Sequence, residues 1–237
     1  MFGFIALDKA AGVSSAGAVN AVKRLLPRGI KVGHAGTLDP FATGLLIVLI
    51  GKATKSCEEL MDEPKQYDAT IRFGATTETD DPESPERPVD GALPLDEGLV
   101  LDAVKRFSGT IEQIPPAYSA LKISGRRACD RIRAGESVQI KPRKVHIYDI
   151  ALLHYAWPEA RVRIDCGRGT YIRAIARDLG QILSVGGYLT ALRRTRSGGF
   201  DIDHSVTLDQ LRNDGVERHL IVQRPEAPII ADSSSLS

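Results

Sequence analysis

From Tyr67 to Phe73 apolar and polar positions alternate strictly. Tyr67, Ala69, Ile71 and Phe73 fall on one side, and Asp68, Thr70 and Arg72 on the other, the pattern of a half-buried strand. Residues 2–7 and 45–50 read instead as short continuous apolar runs, the mark of buried strands. Between them Ser14 or Ser15 can cap a helix that carries Val19, Val22 and Leu26 on one face and stops before Pro27. Residues 33–44, rich in Gly and Thr, predict a loop, and residues 74–98, polar and acidic with four prolines, a longer loop or flap. Further on the pattern predicts a helix over 99–107, a break at Pro115-Pro116, and a strand near 117–123. A short basic helix over 126–134 and strands over 138–154 and 160–166 follow. A helix over 170–183 turns Ile172, Ile175 and Leu179 inward, and the serine-rich end, 226–237, is expected to fray. Strands and helices interleave without regular βα spacing, so the expected class is α+β with a mixed, largely antiparallel sheet.

Composition is that of an ordinary globular chain, 43% hydrophobic and 26% charged over 237 residues. The longest apolar run is far short of the ~20 residues a membrane helix needs, and the N-terminus has neither a basic start nor a small-residue cleavage site. Three cysteines without a CxxC spacing support neither a disulfide framework nor a zinc site, which fits a cytoplasmic protein. The five histidines show no metal-ligand spacing.

Net charge is only +1, but its distribution is uneven. Residues 58–102 hold 14 acids and three bases, whereas 120–144 and 161–196 each hold eight bases and two acids. The asymmetry fits a basic face opposed by an acidic segment, and equally fits solvated helix faces.

Two tempting motifs fail. Gly51-Lys52 lacks the P-loop's earlier glycine and following Ser/Thr, since Leu46 and Ala53 stand there. Asp201-Ile202-Asp203 fits a turn better than a phosphatase start. Two other places invite chemistry. In residues 33–44, Pro40 drives Asp39 out of the helical region, beside His34 and glycines that leave room for a ligand. A carboxylate on such a turn suits a nucleophile or base; Asp-Pro is also a common turn dipeptide. In the segment GRGTYIR, with Thr170 as the cap, Arg173 falls at the third position of its helix, against the helix dipole, and so needs an anionic partner or tolerates a small cost in solvent.

The chain resembles the tRNA pseudouridine synthase B (TruB) family. The resemblance covers residues 4–211 in five ordered blocks. They are GHAGTLDPFATGLLIVLIGKATK, which contains Asp39; KQY with Gly74 and Thr79-Asp80-Asp81; IPPAYSALK; DCGRGTYIR with DLG; and Leu192-Arg193-Arg194. It implies the pseudouridine synthase fold with flanking helices and a central RNA-binding cleft. The implied activity is isomerisation of uridine 55 in the tRNA T-arm loop to pseudouridine, by base flipping and glycosidic-bond exchange. Asp39 would be the catalytic aspartate and Arg173 its ion-pair partner. His34 would hold the RNA, Tyr67 would stack on the flipped uracil, Tyr171 would line the pocket, and Leu192 would close its far wall. The resemblance implies no cofactor or metal, no guide RNA and no membrane. The expected molecule is a monomer, with a catalytic domain over 1–212 and a tail over 213–237 too short for the family's PUA-type domain. One departure is Lys9-Ala10 where the family has Lys-Pro, which is expected to loosen a turn.

Overall fold

The computed structural model describes residues 1–119, 121–123 and 126–228, in two compact units, 1–68 with 192–228 and 69–191. In chain order the elements are β1 (Gly3–Lys9), α1 (Ser15–Arg24), β2 (Val32–Ala35), β3 (Thr43–Ile50), α2 (Cys57–Asp62) and β4 (Lys65–Phe73). Then come β5 (Ala75–Thr76), β6 (Arg87–Pro88), α3 (Glu97–Lys105), β7 (Gly109–Gln113), β8 (Lys122–Ile123), β9 (Arg126–Arg127) and α4 (Ala128–Arg133). Last are β10 (Arg143–Ala156), β11 (Glu159–Cys166), α5 (Ile172–Ile182), β12 (Gly187–Ser197), β13 (Phe200–Asp201) and α6 (Leu208–Asp214). The boundary between the units falls within β4 and within β12.

In the first unit the strand order is β1-β3-β12-β4. β3 is buried from Gly44 to Ile50, which explains its unbroken apolar run. β1 pairs antiparallel along the whole of β3, from Gly3↔Ile50 to Lys9↔Gly44. The other edge of β3 is shared: its start meets β12 in parallel at Arg193↔Thr43, and its end meets β2 antiparallel at His34↔Val48. Phe4, Ala6, Leu45, Ile47, Leu49, Leu60 and Phe200 build one hydrophobic cluster here. Residues 33–35, expected to be loop, belong to strand β2 because the backbone of β3 offers a free edge there; the loop proper runs from 36 to 42.

In the second unit the order is β12-β4-β11-β10-β7, with β11 and β7 antiparallel to β10. Along β4 the expected alternation holds: Ala69, Ile71 and Phe73 are buried, while Tyr67, in the first unit, stays half-buried. The start of β12 crosses α5 so closely that a Cβ on Gly180 would overlap the backbone of Gly186 and Gly187. The mixed, mostly antiparallel α+β architecture is as expected. Strands β7 and β12 and helix α6 were not legible in the sequence pattern. The strand expected near 117–123 is reduced to β8, with Ala120 outside the described residues. The basic helix is shorter than expected, α4 beginning only at Ala128. Residues 229–237 of the expected frayed end also lie outside.

Candidate active site

Helix α1 starts as expected, with the Ser14 hydroxyl accepting from Gly17 N at 3.0 Å. Its first residue, the buried Ser15, reaches out of the helix to Leu38. The Ser15 Oγ donates to the Leu38 carbonyl at 2.9 Å and accepts from the Leu38 N–H at 2.8 Å. On the other side of Asp39, the Pro40 carbonyl accepts from Gly12 N at 2.8 Å and from the Lys9 ammonium at 3.3 Å. Lys9 is buried, and its Nζ also donates to the carbonyls of Ala10 at 2.9 Å and Val13 at 2.7 Å. An ammonium has three donors, and here two of the bonds go to the turn after β1 and one crosses to the Asp39 loop. The Ala10 turn, expected to be loose, is therefore tied by its neighbour. Asp39 closes its own turn, its carbonyl accepting from Ala42 N at 3.2 Å.

A third tether comes from β12. Arg194, among the largest fully buried side chains, donates from Nε to the Leu45 carbonyl at 2.6 Å and from Nη2 to the Gly36 carbonyl at 3.1 Å. Gly44, at φ +98°, makes room for that strand, since a Cβ would run into the Arg194 backbone. Arg193 pairs with Asp8 through both nitrogens, at 3.1 and 2.8 Å. Asp39, half-buried, thus sits in a loop held before it, after it and from beneath. Lys9, Ser15 and Arg194 were not assigned to the Asp39 loop from the sequence. Their partners lie 31, 23 and 158 positions away, and no local signal marks them.

His34 lies on β2, and its buried Nδ1 meets no hydrogen-bond partner among the described residues. Burial, and then the nearby Arg194 guanidinium, hold its imidazole below the ordinary value, against a smaller opposing pull from a backbone bond with Gly36. The lowered value favours the neutral ring at pH 7. Leu192 on β12 is buried, and its carbonyl accepts from Thr43 Oγ1 at 3.5 Å, which ties it to the end of the Asp39 loop. Tyr67 on β4 is half-buried, one residue from Gln66, whose Oε1 accepts from Thr195 of β12 at 2.9 Å.

In the second unit Tyr171 immediately precedes α5. Thr170 was the expected cap, but its hydroxyl donates to the Gly167 carbonyl at 3.0 Å and Tyr171 occupies the cap position. The correction moves Arg173 one place nearer the helix start. The fully buried Gln113 clasps the Tyr171 backbone, donating to its carbonyl at 3.0 Å and accepting from its N–H at 2.8 Å. The Arg143 guanidinium lies over the Tyr171 ring, 4.8 Å from its centre. Arg173 is buried and donates to Asp81 Oδ2 at 3.0 Å and to the carbonyls of Thr79 at 2.8 Å and Tyr118 at 3.0 Å. Within its unit, Asp81 supplies the anion that the helix-dipole argument demands. One turn later Arg177 donates to Asp178 at 2.8 Å, Asp80 at 3.3 Å and the Ile114 carbonyl at 2.8 Å. Asp80 holds a left-handed φ of 59°, and burial raises its carboxyl to about 6 against the pull of Arg177 and Arg173.

A family model described as TruB family pseudouridylate synthase (N terminal domain) matches residues 23–172. A second, the tRNA pseudouridylate synthase B C-terminal domain, matches 173–220. Together with the mixed α+β fold, these define a pseudouridylate synthase, an isomerase. The chain belongs to the TruB family. It is 46% identical over 218 residues to the tRNA pseudouridine synthase B of Corynebacterium diphtheriae, covering 88% of this chain and 72% of that one. It is 43% identical over 212 residues to the protein of the same name from Bordetella pertussis, covering 89% and 86%. Among solved structures, a Cbf5-Nop10-Gar1 complex contains a chain that superposes with a TM-score of 0.69 at 29% identity, covering 92% of this chain and 58% of that one. A chain in an H/ACA RNP bound to a substrate RNA containing 2'-deoxyuridine superposes at 0.66 and 28%, covering 92% and 57%. Among the described residues no helix is long and apolar enough to cross a membrane, and no group of three or more His, Cys, Asp or Glu could hold a metal.

Proposed function

We propose that this chain converts uridine 55 in the T-arm loop of tRNA to pseudouridine, with Asp39 as the catalytic carboxylate. The observation that carries the assignment is the tethering of the Asp39 loop at Gly36, Leu38 and Pro40, which prepositions one carboxylate at little further entropic cost. The reaction breaks the N1–C1′ bond and forms a C5–C1′ bond. A proton leaves C5 and N1 gains one, so the base keeps its composition and no electrons are exchanged with a third party. One carboxylate suits this chemistry by attack at C1′, by attack at C6, or by removal of a ribose proton. The target must leave the base stack to expose these atoms. In this reading Tyr67 supplies the aromatic face for the extruded uracil, Leu192 and Tyr171 wall the pocket, and Arg173 supplies a cation. His34, whose neutral form burial favours, helps to hold the RNA. The names of the curated relatives support tRNA as substrate.

The test is incubation of the purified chain with an unmodified tRNA transcript, followed by mapping of pseudouridine nucleotide by nucleotide. The expected result is one modification at position 55, abolished in Asp39→Asn. Modification elsewhere, or turnover by the variant within tenfold of the parent, overturns the reading.

A further inference from the structure

Between Asp8 and Asp39 the chain has no acidic residue and five bases, Lys9, Lys23, Arg24, Arg28 and Lys31. Lys9 is occupied by the carbonyls of Val13 and Pro40. Lys23, Arg24 and Arg28 are exposed where α1 ends and in the turn after it. With Asn20, Leu26 and Gly29 they line an open depression of about 440 Å³. No carboxylate pairs with any of the three among the described residues. Gly29 turns with φ +88°, and the space where its Cβ would stand is empty, so the backbone is open to a ligand there.

Cations in the last turn of a helix complement its dipole. That role accounts for Lys23 and Arg24 but not for Arg28, nor for a concave surface with no acid in it. Three converging cations without partners suit a polyanion whose charges are spaced along a chain. The depression is also tied to the candidate site. Helix α1 grips Leu38 through Ser15 at its first residue and carries the basic residues at its other end, about 15 Å along the axis. That is a span of a few nucleotides.

We propose that Lys23, Arg24 and Arg28 form a phosphate-binding site for the RNA backbone, a few nucleotides from the uridine presented to Asp39. The proposal rests on the reading that the substrate is RNA. The contact is electrostatic and sequence-independent. It adds affinity and register, and takes no part in bond exchange.

The test compares the parent chain, the combined variant Lys23→Gln/Arg24→Gln/Arg28→Gln, and the charge-conserving variant Lys23→Arg/Arg24→Lys/Arg28→Lys. Each is titrated with unmodified tRNA transcript over a series of salt concentrations, and each is checked for folding by its unfolding midpoint. In the glutamine variant the plot of log affinity against log salt should be shallower by about 2–3, with binding at least ~10-fold weaker near 0.1 M salt. The charge-conserving variant should overlay the parent. The single-turnover rate at saturating RNA should be the same in all three. An unchanged slope and affinity in the glutamine variant overturns the site. So does an equal loss in the charge-conserving variant, or a fall in rate with binding intact. Pseudouridine formation by the parent, scored on the same transcript, reports separately on the function proposed above.

Discussion

The Ser15 hydroxyl bonds both backbone groups of Leu38, donating to the carbonyl at 2.9 Å and accepting from the N–H at 2.8 Å. One side chain thus satisfies two buried groups next to Asp39 and fastens the loop to α1. In Ser15→Ala both groups lose their partner, at a cost of about 1–3 kcal/mol in stability by denaturant unfolding. Because small misplacements of a reacting group are costly, kcat should fall at least ~10-fold while the affinity for RNA changes little. An unchanged kcat would show that Lys9 and Arg194 hold Asp39 without Ser15.

Arg173 and Asp81 form a buried pair, and removing one partner leaves a buried charge uncompensated. Asp81→Ala should cost about 3–5 kcal/mol of stability. Arg173→Ala should lower kcat/KM more than Arg177→Ala, although both arginines leave α5 on the same side, one turn apart. Equal, parent-like kcat/KM in the two variants would confine Arg173 to a structural role.

Asp80 provides a pH prediction. Its folded-state value, about 6, lies above the ordinary value of 3.8. Between these values the folded state holds a proton that the unfolded state has lost. The favourable contribution of the neutral acid is therefore complete below about pH 4 and lost as pH rises through about 6. Asp80→Asn removes this titration, and asparagine accepts the left-handed backbone at that position. The variant should gain stability relative to the parent on going from pH 4 to pH 7, by an amount on the order of 1–3 kcal/mol. A difference that does not change with pH would show that Asp80 titrates normally.

Tyr67→Phe should retain RNA binding, because the ring supplies the stacking surface, worth about 1–3 kcal/mol per base. Tyr67→Leu should lose both affinity and rate. A loss of rate in the phenylalanine variant with binding intact would place the hydroxyl in proton removal at C5. Unchanged kinetics in the leucine variant would return Tyr67 to the packing of β4.

The strands and helices that could be read directly are those whose periodicity lies within the segment. The alternation of 67–73, the apolar run of β3 and the Ser14 cap of α1 each follow from local chain geometry. The motif around Asp39 and the position of Arg173 near a helix start were also legible, because residue order alone carries them. What only the tertiary structure decided is where the buried polar groups find partners. β12 hides in the sequence because Arg193, Arg194 and Arg196 break its apolar pattern. It is a strand because Asp8 takes up Arg193, and the carbonyls of Leu45 and Gly36 take up Arg194. β2 became a strand because β3 left an edge unpaired beside a segment whose composition reads as loop. Lys9, Ser15 and Gln113 look like ordinary surface residues until the fold buries them against Pro40, Leu38 and Tyr171. A buried donor or acceptor must be satisfied, but its partner depends on which distant segments become neighbours, and no periodicity within one segment records that.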